Sequence, residues 1–202
     1  LIATLCFLRG IKRKSFYILL SCVFFGLSFY AYHSPRLTSP LLLLGLLAIF
    51  RGKTLHIKKT VLYGLLLFIL IITPITIDFI SKPIAETRIG GISIFTRQDT
   101  SIPLTPLYFI RLMPMLIGNY LNQFNPYFLF FDTSTMRYFN VRFNGLLYYW
   151  ELPVIAVGVY VLYQSKQKEK YLVLWWILIS VLPGSLTQGN PNAGRIFMLA
   201  PM

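Results

Sequence analysis

Long apolar runs separated by short polar and basic stretches set the pattern of this chain. Apolar residues dominate positions 16–32, 35–50, 61–80, 146–163 and 171–186, with further apolar runs at 1–8 and from Ile196 onward. A helix needs at least about 17 such residues to cross a bilayer, and these runs lie near or above that limit. The pattern predicts an all-α polytopic membrane protein with about five complete transmembrane helices and partial helices at both ends. It divides into transmembrane helices over 1–80, a long polar segment over 81–145, and transmembrane helices plus the start of another over 146–202. The chain opens without Met inside one apolar run and stops inside another, which predicts a piece of a longer protein.

Between the first two spans sits a polar knot, Tyr30-Ala31-Tyr32-His33-Ser34-Pro35-Arg36-Leu37-Thr38-Ser39-Pro40. Ser34 followed by Pro35 is a helix-start signature, because the Ser oxygen caps free amides and Pro at the first helical position forfeits no hydrogen bond. Arg36 then falls in the first turn, where the helix dipole disfavours a cation unless an anion is present. Two readings stay open. Arg36 snorkels to lipid headgroups while His33 and the tyrosines anchor the interface, or the knot is a phosphate site at a membrane surface. Further on, Pro74 predicts a kink near the outer end of its span that frees a carbonyl for a neighbour, and Asp78 follows just beyond it.

Composition agrees with the pattern: 56% of residues are hydrophobic and 12% charged, and the mean hydropathy is +0.65. The net charge of +13 does not imply nucleic acid, because the basic residues fall in short loops between apolar runs. Dense clusters at 9–14, 51–59 and 166–170 lie on one side if the spans alternate, and the positive-inside rule makes that side the cytoplasm. The knot (30–36), the segment 81–145 and the stretch around Arg195 then share the extracytoplasmic face. Cys6 and Cys22 lie in apolar runs without metal-ligand spacing and indicate no redox chemistry. The first apolar span runs into Tyr32-His33-Ser34-Pro35 rather than a small-residue cleavage site, which argues against a signal peptide.

The segment 81–145 is too polar and rich in turn residues to cross. Within it, 105–123 predicts a helix whose Arg111, Asn119 and Asn122 fall near one face. It is expected to lie along the membrane surface, the alternative being a core helix of a small outer subdomain. Tyr148, Tyr149 and Trp150 suit an aromatic belt at the outer end of the next span, with Trp175 and Trp176 nearer the inner end of the last.

Sorting polar residues by side places Tyr32, His33, Arg36, Asp78, Arg88, Glu151, Asn190, Asn192 and Arg195 on the outer face near span ends. Arginines at two helix starts, Arg36 and Arg195, suit a diphosphate or phosphoester, since guanidinium forks match phosphate oxygens. Asp78 and Glu151 are acids or bases for catalysis, or ion-pair partners of those arginines; taken singly, each favours the pairing role. There is no glycine-rich nucleotide loop, zinc helix or nucleophile elbow. Nothing in the sequence calls for a cofactor, and two histidines, one of them in a basic loop, do not build a metal site.

Three blocks together resemble a known family. Residues 30–37 with Pro40, Tyr-Phe-Leu-Phe-Phe-Asp at 127–132 and Gly-Leu-Leu-Tyr-Tyr-Trp-Glu-Leu-Pro at 145–153 are similar in order and spacing to membrane glycosyltransferases of the GT-C type. More narrowly they resemble the bacterial relatives of dolichyl-phosphate-mannose protein mannosyltransferases and aminoarabinose transferases (family 39-like). The resemblance implies transfer of a sugar from a polyprenyl-phosphate carrier to a lipid, glycan or protein acceptor at the outer face of the cell membrane. It assigns the donor phosphate to Arg36, Arg195 and His33, with Tyr32, Asp78 and Glu151 in support. The catalytic Asp of such families lies in a first outer loop, which would precede Leu1. One departure stands out: where the family often has Pro-His-Ala-x-Arg, this chain has Pro191-Asn192-Ala193-Gly194-Arg195, and Asn192 cannot titrate.

The alternative of a different class is a transporter or flippase of a lipid-linked anion. It too would use outer-face arginines but would need polar residues midway through the spans, and the stretches 16–30 and 61–72 offer few. A non-catalytic scaffold leaves the outer arginines without a purpose.

Overall fold

A computed structural model of the chain describes residues 1–81, 93–94, 106–131 and 145–187. These residues are mainly helical and form no strand, with one isolated antiparallel bridge between Ser93 and Thr187. They fall into two compact units.

The first unit holds residues 1–81 and 168–179. Its helices are α1 (Ile2–Lys12), α2 (Phe16–Ala31), α3 (His33–Ile49), α4 (Arg51–His56), α5 (Lys58–Ser81) and most of α8 (Glu169–Ser180). α2 is the hub, packing against α1, α3 and α5. Ile18, Cys22, Phe25 and Phe29 of α2, Phe7 of α1, Leu43 and Leu46 of α3 and Phe68 of α5 are all buried, and the Phe29 and Phe68 rings lie edge to face at 5.7 Å.

Small residues let the backbones approach. A Cβ at Gly26 would stand 2.8 Å from Ile71 Cγ2, so only glycine allows α2 and α5 to lie this close. Hydroxyls tie α2 to α1 and α3. Ser21 donates to Ala3 O at 2.7 Å, and Ser28 and Ser39 share a hydrogen bond of 2.6 Å between α2 and α3.

α5 has 24 residues and a mean hydropathy of 2.4 over its most apolar window, of which 11% is buried. It is the one helix among the described residues long and apolar enough to cross a membrane; α2 and α7, at 16 and 14 residues, are apolar but shorter. Pro74 lies within α5 and removes the amide that would bond Leu70 O. The Tyr30 hydroxyl of α2 donates to Ile71 O at 2.8 Å, the carbonyl next to the one that Pro74 frees.

The second unit holds 93–94, 106–131, 145–167 and 180–187, with α6 (Pro106–Asn122), a π-helical turn (Tyr127–Phe131), α7 (Glu151–Gln164) and α9 (Leu182–Ser185). Phe128 and Val181 form its small core, with Tyr120, Phe124 and Leu129 against them. None of α7 is buried.

Two element boundaries differ from the sequence reading. The span expected over 146–163 becomes helical only at Glu151, because residues 145–150 form turns in which Leu147 N bonds Leu129 O at 2.7 Å. The run over 171–186 is divided at Val181 into α8 and α9, since Pro183 has no amide to continue the ladder.

Candidate functional site

The knot is shorter than its sequence suggests. Tyr32, extended at φ −161° and ψ 168°, is the one residue between α2 and α3. The helix start lies two residues earlier than expected: α3 begins at His33, and Ser34 makes no side-chain cap. Ser34 is instead buried in the first turn, its carbonyl accepting from Thr38 Oγ1 at 3.2 Å. Pro35 falls at the third helical position, where a missing amide still costs nothing because the first four amides have no intrahelical acceptor.

Arg36 is half-buried, and its Nε donates to Phe29 O at 3.2 Å. Phe29 is in the last turn of α2, whose terminal carbonyls lack helical partners and carry the negative end of the helix dipole. The electrostatic conflict expected at the start of α3 is therefore offset by the end of α2. Among the described residues no carboxylate pairs with Arg36. A guanidinium has five N–H donors; Nε uses one, and the Nη groups have no partner among the described residues.

Tyr32 is 52% exposed, its ring 5.8 Å from that of the half-buried His33. Asp78 is exposed at the same end of the unit. Tyr30 bonds at the level of Ile71, and Asp78 lies seven residues on, roughly 10 Å further along α5 at 1.5 Å per residue. Glu151 belongs to the second unit, where its Oε2 accepts from Tyr148 N at 3.1 Å. That contact closes the turn ahead of the helix and sets an acid in its first turn, as the dipole favours; among the described residues no arginine pairs with Glu151. Arg88, Asn190, Asn192 and Arg195 lie outside the described residues, as does Asp132.

Two of the blocks that carry the family resemblance meet. Gly145 N bonds Phe130 O at 3.3 Å, and any Cβ at Gly145 would collide with the Leu129 and Phe130 backbone. An aromatic group results: Phe131 lies edge to face with Tyr149 at 5.2 Å, Tyr127 stacks on Phe131, and Tyr148 stacks on Trp150. All five rings are exposed. The belt read at 148–150 thus gains Tyr127 and Phe131, whose residue types alone gave no such signal. Of the two tryptophans of α8, Trp176 is buried, and half-buried Trp175 donates from Nε1 to Leu41 O midway along α3 at 2.9 Å.

α6 leaves apolar residues exposed along one side. Asn119 Nδ2 donates to Ser185 O at 3.2 Å, directing that side toward α9, while Ile110, Met113, Ile117 and Leu121 form an exposed stripe. The apolar face is outermost.

At the other end of the first unit the basic clusters come together. Lys12 Nζ lies 3.1 Å from Glu169 Oε1. A hydrogen bond to the backbone amide of Glu169 itself, then one from Lys12 and the fields of Lys12 and Lys53, hold the Glu169 carboxyl below its ordinary value. Representatives of all three clusters, from 9–14, 51–59 and 166–170, therefore share one end of the unit, and the knot lies at the other end of α2. No group of three potential metal ligands occurs among the described residues. No family model, curated protein or solved structure matches the chain.

Proposed function

We infer that the protein is a multi-pass membrane glycosyltransferase that moves a sugar from a polyprenyl-phosphate carrier to a lipid, glycan or protein acceptor on the extracytoplasmic face. The observation that carries this reading is Arg36: a half-buried guanidinium held through Nε by Phe29 O, its Nη groups available, at the end of the unit away from the basic clusters. Planar, permanently charged donors of this kind suit a phosphate oxygen pair.

The membrane assignment is supported by α5, which stays long, apolar and little buried. A core helix of a water-soluble domain would be enclosed. Gly26 at a helix crossing and hydroxyl bonds from Ser21, Ser28 and Ser39 are the contacts that hold helices together in lipid, where burial alone gives little. Convergence of the basic clusters supports placing that end in the cytoplasm. The mid-helix hydroxyls are spent on helix contacts, which leaves little to line the polar path that a lipid-anion transporter requires.

In such a transfer, fixed cations stabilise the leaving phosphate as its charge develops, and a carboxylate takes the acceptor's proton. Arg36 supplies the first function, with Arg195 and His33 as further candidates at the phosphate and Tyr32 and Asp78 at the margin of the site. Glu151, bonded to the Tyr148 amide, is weaker as a catalytic group.

The test is transfer by the whole protein in membranes, with labelled sugar presented on polyprenyl phosphate or on a nucleotide. The account predicts product from the lipid donor alone. Movement of the lipid-linked anion between leaflets without glycosyl transfer would instead establish the transporter.

A further inference from the structure

The basic end of the first unit holds a cleft between α1 and α2. The cleft, of about 450 Å³, is lined by Leu5, Leu8, Arg9, Lys12 and Arg13 with Tyr17 from α2. Leu5, Leu8, Arg9 and Lys12 recur at helical spacing on one face of α1, so the wall grades from apolar to cationic. From Leu5 to Lys12 this change spans roughly 10 Å at 1.5 Å per residue. Lys12 is paired with Glu169, the one carboxylate in the three basic clusters. Arg9 and Arg13 have no carboxylate partner among the described residues.

Uncompensated guanidinium groups at the mouth of an apolar cleft call for a ligand with an anionic end and a hydrocarbon end. We propose that the cleft binds an anionic membrane phospholipid, with its phosphodiester on Arg9 and Arg13, the phenol of Tyr17 beside it, and the upper acyl chain along Leu5 and Leu8. Basic pockets between helices on the cytoplasmic side are suited to such headgroups. The proposal rests on the membrane reading of this unit but not on sugar transfer, and it places a structural lipid at the face opposite Arg36.

The experiment uses the whole protein purified in neutral detergent and titrated with phosphatidylglycerol, phosphatidylcholine or inorganic phosphate, with bound lipid read by native mass spectrometry. Wild type is expected to retain phosphatidylglycerol in preference to phosphatidylcholine. Each guanidinium lost in Arg9→Gln and Arg13→Gln should raise the dissociation constant about tenfold or more, and the paired Arg→Lys variant should recover part of the affinity. Equal retention of the two lipids by wild type overturns the proposal without any variant having to fold. Displacement of the lipid by equimolar inorganic phosphate overturns it in favour of a soluble anion, and unchanged affinity in a folded Arg9→Gln/Arg13→Gln protein overturns the residue assignment. Alkaline extraction of the native membrane separately tests the membrane reading, and loss of transfer activity alone bears on neither result.

Discussion

Gly45 is where the packing of α3 against α8 can be broken by one methyl group. A Cβ there would run into the Trp175 indole, whose Nε1 donates to Leu41 O at 2.9 Å. Gly45→Ala forces the ring aside, at about 1–3 kcal/mol for overpacking and about 0.5–1.5 kcal/mol for the hydrogen bond. The better helix propensity of Ala returns about 1 kcal/mol. The net destabilisation is roughly 1–3 kcal/mol, which lowers Tm by roughly 2–12 °C for a chain of this size. Thermal unfolding of the purified protein in detergent reads the shift. Gly158→Ala is the control, since nothing lies within 4 Å of a Cβ at that position, and it should be neutral or slightly stabilising. Because two residues in contact couple, Gly45→Ala should cost much less when Trp175 is already Leu. A Gly45→Ala protein as stable as wild type would refute the close approach of these helices.

Two further predictions concern the surroundings. The buried thiols of Cys6 and Cys22 should not compete with introduced cysteines, so Ser101→Cys should label from outside intact cells with an impermeant reagent while Gln167→Cys should not; the reverse pattern would invert the orientation. An environment-sensitive fluorophore on Ile117→Cys, within the exposed stripe of α6, should report an apolar surrounding in membranes, whereas the same probe on Arg111→Cys should report water. Equal, water-like emission at both sites would mean that α6 does not rest on the bilayer.

The helical framework was legible because apolar runs and basic clusters are one-dimensional signals. α2, α3 and α5 lie close to where hydropathy placed them, while the Tyr30 hydroxyl takes Ile71 O rather than the Leu70 carbonyl that Pro74 leaves without an amide. Other features depend on backbone partners far along the chain. The acceptor of Arg36 is a carbonyl seven residues earlier across a one-residue turn. Ser34-Pro35 looked like a cap because the motif does not reveal that Tyr32 is extended and that the helix starts at His33. The Leu41 partner of Trp175 is 134 residues away in sequence, and Asn119 of α6 meets Ser185 O, contacts that periodicity can neither supply nor exclude.

The most direct test of the account is donor-dependent transfer by Arg36→Ala and Arg36→Lys variants of the whole protein, assayed at subsaturating polyprenyl-phosphate sugar with folding verified. Removing a charge-assisted contact of about 1.5–3 kcal/mol should slow transfer by Arg36→Ala roughly tenfold to over a hundredfold at 1.4 kcal/mol per decade. Lys keeps the charge but not the planar fork, so Arg36→Lys should recover only part of the rate. A correctly folded Arg36→Ala protein that transfers sugar at the wild-type rate, or full replacement by Lys, would contradict the assignment of the donor phosphate to Arg36.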